Sequence, residues 1–235
     1  MVGKIRRPVN PVTPAGPRPA RHTYPLLLDV TDRLVVIVGG GAVAVRKAVG
    51  LLEAGATKVR CVSPTFDADL PATVERVAGA YEPRHLDGAG LVFACTDQSE
   101  VNDAVVRDAR RRGVLVSRAD SDDETPGDFI TPAKLRQGPV IVTVSAGSPA
   151  LAVLIRDGIA ERWDARWSKM AEAMQVLRPL VLQAHGLDGR RRASLFRDLA
   201  TAEAMNVLDD GGIDALKQWL ARKYPGTEWP LNPEP

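Results

Sequence analysis

The sequence predicts an α/β fold: a doubly wound parallel sheet, then a small α+β segment, then a helical C-terminal region. Three observations carry that expectation. The run Leu34-Val35-Val36-Ile37-Val38 is β-branched and lacks polar alternation, the pattern of a strand covered on both faces. Gly39, Gly40 and Gly41 end that run and open a helix. Strand-like and helix-like segments then alternate to about residue 118, the rhythm of βαβ units.

The elements follow in order. Residues 24–29 read as a short lead-in strand, and Asp32-Arg33 as a turn before the strand at 34–38. A helix over 43–54 stops at Gly55, and a second strand covers 59–62. A helix is expected over 68–77, a short strand over 79–81 and a strong strand over 91–95. The helix over 100–112 has a basic C-terminal end, which suits its dipole, and Gly113 stops it before a strand at 114–117. Residues 121–128 are acidic, contain Pro126 and Gly127, and read as a loop. A strand over 140–144 follows. Ser148 and Pro149 then make a good helix start, serine as N-cap and proline in the first turn, for a helix to about 163. Helices are expected over 166–183, 190–208 and 213–223, with Pro179 kinking or breaking the first. Residues 1–23 are proline-rich (Pro8, Pro11, Pro14, Pro17, Pro19) and cannot form a packed core. The expected organisation is that tail, a dinucleotide-binding domain over 24–118, a second region over 119–163 and the helical region over 164–235.

Composition narrows the function classes. The 235 residues carry a net charge of +2, too little field to argue for nucleic acid. No apolar run approaches the ~20 residues that span a bilayer. Cys61 and Cys95 sit in apolar runs and read as small buried hydrophobes, which suits a reducing cytoplasm. His22, His85 and His185 show no metal-ligand spacing, so no metal site is expected.

The glycine loop carries the most chemistry. Gly39 permits a tight turn, Gly41 lets the backbone approach a pyrophosphate, and Ala44 permits close helix-to-strand packing. The helix N-terminus then offers free N–H groups and partial positive charge near Ala42 and Val43. With a strand before and a helix after, this is a Rossmann-type dinucleotide loop. The acid that usually binds the adenosine ribose, ~20 residues past the first glycine, is missing; Ser63, Pro64 and Thr65 occupy that region. NAD through the hydroxyls and NADP through Arg60 both remain open. Thr96, Asp97 and Asn102 fall at the carboxyl end of the 91–95 strand, where such sheets bind ligands, although Asp97 would also cap the next helix. Asp120 falls after the 114–117 strand, beside the expected nicotinamide, as a proton acceptor. The small residues before Ser148 suit either an anion site or a plain capped helix start.

Several motifs together resemble precorrin-2 dehydrogenases and the N-terminal module of siroheme synthases. They are Tyr24-Pro25-Leu26, the loop through Arg46-Lys47, Ala94-x-Thr96-Asp97 with Val101-Asn102, Asp128-Phe129-Ile130-x-Pro132-Ala133, and Ser148-Pro149-x-Leu151-Ala152 with Ile155-Arg156. The resemblance covers roughly residues 24–163. It implies NAD-dependent oxidation of precorrin-2 to sirohydrochlorin, with insertion of ferrous iron in some members. It also implies a homodimer formed through the region after the Rossmann domain. Under it Asp120 is catalytic; Ala42, Val43, Pro64 and Thr65 contact the cofactor; and Arg118, Lys134, Arg136, Ser148 and Arg156 are placed to hold the substrate's carboxylates. The segment before Ser148 is shorter than the family pattern, and Ala146 stands where some members have an anion-binding serine. No methyltransferase module is expected in this chain. Two other readings are a non-enzymatic dinucleotide sensor and a dehydrogenase for another tetrapyrrole; a helical interaction module over 166–223 is compatible with any of them.

Overall fold

The computed structural model describes residues 23–120 and 125–230. The proline-rich tail up to residue 22, the first part of the acidic loop (121–124) and the last five residues lie outside the described residues. The chain divides into two compact units, Met1–Ile130 and Thr131–Pro235.

The first unit is a five-stranded parallel sheet of order β3-β2-β1-β4-β5. Its strands are β1 (Leu34–Val38), β2 (Lys58–Ser63), β3 (Glu75–Ala78), β4 (Ala89–Ala94) and β5 (Leu115–Arg118). Strand β1 is central and pairs with β2 and β4, Val36 opposite Arg60 and Val92. Side chains alternate across a strand, and here the two sets enter two cores. Val35, Ile37, Cys61, Leu91 and Phe93 pack with Ala44, Ala48 and Leu51 of α1 (Ala42–Leu52). Val36, Val38, Val62, Val92 and Val116 pack with Val105, Val106 and Ala109 of α2 (Ser99–Arg111). This double coverage is why β1 shows no polar alternation. The chain reverses direction of winding between β1 and β4, which opens a crevice at their carboxyl ends.

Three expected elements of this unit are corrected. Residues 24–29 form no strand and are exposed, Tyr24 at 87%. The helix over 68–77 is absent. Asp67 Oδ1 accepts the Asp69 amide at 3.0 Å and Val74 N–H donates to the Pro71 carbonyl, so turns occupy its first half. Its second half pairs as β3, with Arg76 opposite Cys61. The strand then ends at Ala78, so 79–81 is not one; Gly79 takes φ +150° and its amide donates to the Ser63 carbonyl.

The second unit opens with an antiparallel hairpin, β6 (Ala133–Gln137) and β7 (Val140–Val144), Leu135 opposite Val142. β6 escaped the sequence reading because it is half polar; Gly138, at φ +58°, makes its turn. Helix α3 (Pro149–Glu161) begins as expected, the Ser148 hydroxyl accepting the Leu151 amide at 3.2 Å. Helix α4 (Ala165–Gln183) continues through Pro179, held by the burial of Leu177 and Val181 on either side. The helix expected over 190–208 is instead α5 (Gly189–Leu199) and the start of α6 (Ala202–Lys223), because the Thr201 hydroxyl caps a new helix at the Ala204 amide. Gly212, at φ +68°, kinks α6. Leu177, Val181, Leu195, Leu199, Leu216 and Leu220 form the common core of these helices. Among the described residues no helix is long and apolar enough to cross a membrane, and no group of three or more His, Cys, Asp or Glu could hold a metal ion.

Candidate active site

The glycine loop is positioned by backbone bonds to both neighbouring strands. Gly39 N–H donates to the Val62 carbonyl at 2.9 Å, and Cys95 N–H donates to the Val38 carbonyl at 2.8 Å. Gly39 adopts φ +121°, and a Cβ there would lie 2.5 Å from the Cys95 carbonyl oxygen. Gly40 has a role the sequence did not suggest. The segment after β2 crosses it: a Cβ on Gly40 would lie 2.0 Å from the Thr65 carbonyl oxygen, and Asp67 N–H donates to the Gly40 carbonyl at 2.8 Å. Gly41 is the N-cap of α1, and a Cβ there would meet nothing within 4 Å. No side chain caps α1 and no acid lies in its first turn, so its first amides face open space. That donor set fits a pyrophosphate. Ala44 is fully buried against the sheet, as the third position of the fingerprint requires.

Two glycine variants separate these roles. Gly41→Ala should melt within about 2 °C of the wild type and yet bind dinucleotide at least about tenfold more weakly, because the methyl enters the space of the phosphates. Gly40→Ala should instead destabilise by about 2 kcal/mol or more through the clash with Thr65. Thermal melts and calorimetric nucleotide titration check both.

Above the loop lies a cleft of about 890 Å³. Of the expected cofactor residues, Gly39, Gly40, Gly41, Ala42, Val43, Ser63, Pro64, Thr65, Thr96 and Asp97 line it, and so does Asp120. Sequence reasoning missed Phe66, Asp67, Tyr81, Gln98, Val101 and Ala119. Asp67 is the one with a readable signal, an acid in the loop after β2. Cys95 also lines the cleft. Burial pushes its thiol up to about 12, so it stays protonated at neutral pH and is no nucleophile.

Asn102 does not line the cleft. It is fully buried and all four of its amide bonds are made. Its Oδ1 accepts from Thr96 N at 3.1 Å and Thr96 Oγ1 at 2.8 Å; its Nδ2 donates to the Thr96 carbonyl and to Asp120 Oδ2, both at 2.9 Å. Asn102 therefore joins the end of β4 to Asp120. From the other side Arg118 grips Asp120 with two prongs, Nε on Oδ1 and Nη2 on Oδ2 at 2.9 Å. Arg118 Nη1 also pairs with Asp103 and donates to the Thr125 carbonyl, and Nη2 donates to Ser99 Oγ. The Arg118 side chain is 1% exposed. Its expected role as a substrate-binding cation is corrected on that ground: the guanidinium is spent inside the domain.

Burial pushes the Asp120 carboxyl up, but the bonds from Arg118 and Asn102 more than offset it, and the group titrates below the usual aspartate value. Asp120 is thus a fixed anion at the end of β5, in the same cleft as the glycine loop.

The other expected substrate residues lie in the second unit. Lys134 and Arg136 alternate along β6 and share its exposed face. Ser148 is the α3 N-cap. Arg156 pairs with Asp157 at 2.5 Å.

A parallel sheet of this order, with an uncapped helix behind a glycine loop, defines a dinucleotide-binding Rossmann protein. The family described as "Putative NAD(P)-binding" matches residues 26–133. Siroheme synthase of Methylobacillus flagellatus is 32% identical over 210 residues, covering 85% of this chain and 44% of that protein. Siroheme synthase of Photorhabdus laumondii is 35% identical over 206 residues, 85% of this chain and 43% of its own length. A solved structure titled "SirC, precorrin-2 dehydrogenase" has the same fold, with a TM-score of 0.69 at 21% identity, covering 86% of this chain and all of that one. The chain thus resembles the siroheme synthases in sequence and the solved precorrin-2 dehydrogenase in fold. It spans less than half the length of the siroheme synthases it matches.

Proposed function

We propose that this chain oxidises precorrin-2 to sirohydrochlorin with NAD as the hydride acceptor, as a step in siroheme biosynthesis in the cytoplasm. The observation that carries the reading is Asp120, an anchored carboxylate in the same cleft as the phosphate loop. The names of the relatives and the fold of the solved dehydrogenase support the substrate class. When bound, NAD supplies the site that accepts the hydride. The amides of α1 and the Gly41 backbone would hold its phosphates. Asp120, ionised at neutral pH, would stabilise the positive charge that develops on the tetrapyrrole as the hydride leaves. The proton that must also leave passes to Asp120 or, through it, to solvent. Asn102 and Arg118 act through Asp120 and are positioning residues. Within the second unit, Lys134, Arg136, Arg156 and the Ser148 hydroxyl are the groups proposed to bind carboxylates of the substrate.

The test is anaerobic turnover of enzymatically made precorrin-2, followed by NADH absorbance. Absorbance growth that needs both substrate and protein is expected. A folded protein that binds NAD and forms no NADH with precorrin-2 would sink the proposal, leaving a sensor or another tetrapyrrole. No observation favours insertion of ferrous iron, so the proposal stops at oxidation.

The proposed working form is a homodimer built on the second unit. Leu151, Val153, Leu154 and Ile155 of α3 are exposed at 46, 41, 68 and 40%, and only Ala152 of that helix is buried. Leu151, Leu154 and Ile155 share one face of that helix at i, i+3 and i+4, an exposed apolar stripe of the kind that marks an interface. Leu154→Glu should weaken association at least about tenfold. Sedimentation velocity reads this; an unchanged dimer would move the interface elsewhere.

A further inference from the structure

The cleft has acidic groups in its lining and no cation, which bears on the dinucleotide it accepts. Its described lining includes Asp67, Asp97 and Asp120 but no lysine, arginine or histidine. Asp67 is half-buried and tied to the phosphate loop, its amide donating to the Gly40 carbonyl at 2.8 Å. It lies on the segment that leaves β2, the side on which such folds hold the adenosine ribose. Its Oδ1 accepts the Asp69 amide at 3.0 Å, which orients the carboxylate. Its Oδ2 takes no hydrogen bond from the described residues. The nearby Arg76 is occupied, lying over the Phe66 ring and donating to the Leu70 carbonyl, and it does not line the cleft.

We propose that Asp67 is the specificity-determining residue of the cofactor site, accepting a hydrogen bond from an adenosine ribose hydroxyl and rejecting a 2′-phosphate. The proposal rests on reading the cleft as a dinucleotide site. The physical reason is one of matched and mismatched partners. A free 2′-hydroxyl donates to the carboxylate in a charge-assisted bond. A 2′-phosphate has no such donor, adds negative charge beside an existing one, and finds no cation in the lining to offset it. The Thr65 carbonyl and the Ser63 side chain pack against Gly40, and the first acid after β2 is Asp67, later than the usual ~20-residue spacing.

Calorimetric titration of the full chain with NAD and with NADP tests this without turnover. The wild type should prefer NAD by about tenfold or more. Asp67→Asn keeps the turn, since its Oδ1 still accepts the Asp69 amide, and should narrow the preference to within about threefold, by weaker NAD and stronger NADP binding. Asp67→Ser preserves the turn through its hydroxyl and replaces the first variant if that one melts early. A preference unchanged in the variant, or a wild type that favours NADP, overturns the proposal and leaves the dinucleotide site standing. A wild type that binds neither nucleotide overturns the dinucleotide reading itself, and this proposal with it.

Discussion

Asp120→Asn is expected to lower kcat for the proposed precorrin-2 oxidation by about two to three orders of magnitude, the range for removing a charged group that acts on the transition state. Nucleotide affinity should change by less than about twofold, because the phosphates are held by α1 and not by β5. The substitution keeps the shape of the side chain and removes its charge. It also turns an amide NH2 toward Asn102 Nδ2 or Arg118 Nε, both donors to Asp120. A stability loss of about 1–3 kcal/mol should accompany it. Nucleotide titration and a melt separate that loss from catalysis. If kcat survives while the melt shifts, Asp120 is structural and leaves the mechanism.

Arg118→Met should give the largest loss of stability, about 3 kcal/mol, because it strands two carboxylates around a buried apolar group. Asp103 and Asp120 are each 27% exposed beside a guanidinium that is 1% exposed, so solvent relieves only part of the cost. The same variant should alter the response to acid. In the wild type the folded pKa of Asp120 is depressed, so its contribution to stability is complete above the unfolded aspartate value of about 3.9 and is lost as pH falls through the lower folded value. Without Arg118, the hydrogen bonds and positive charge that hold the Asp120 carboxyl down are lost, and its folded pKa rises. Acid unfolding and the acid limb of the rate profile should then both begin at higher pH. Arg118→Lys should recover part of each, a rescue that packing alone would not produce. Urea melts across pH 3 to 7 check the first; an unmoved acid midpoint would mean that Arg118 serves packing and not the charge of Asp120.

The contrast between Asp120 and Arg118 shows what a sequence conveys about such a site. Asp120 was legible because it directly follows a strand, and the carboxyl ends of parallel strands face the crevice. Arg118 looked like a cation ready for a polyacidic substrate. Its true partners, Asp103 and Ser99, lie on α2, and no local pattern announces a pairing across that separation. Asn102 was recognised as part of the site but given the wrong contact, since only the docked helix shows its amide turned inward to Thr96 and Asp120.

Local sequence is enough to place the strand, glycine loop and helix that begin the dinucleotide fold, the capped start of α3 and the candidate carboxylate at the end of β5. Each depends on local conformation: unbroken β-branched burial, glycine torsions, or a serine-proline cap. Tertiary structure decided the rest. It made 75–78 an edge strand because pairing with β2 outweighed helix propensity, and it carried α4 through Pro179 on the burial of Leu177 and Val181. It laid the segment after β2 across Gly40, bringing Asp67 into the cleft, and closed Arg118 between two aspartates. These outcomes share one physical reason. Their energies come from partners distant in the chain, and such partners meet only when the sheet and helices have docked.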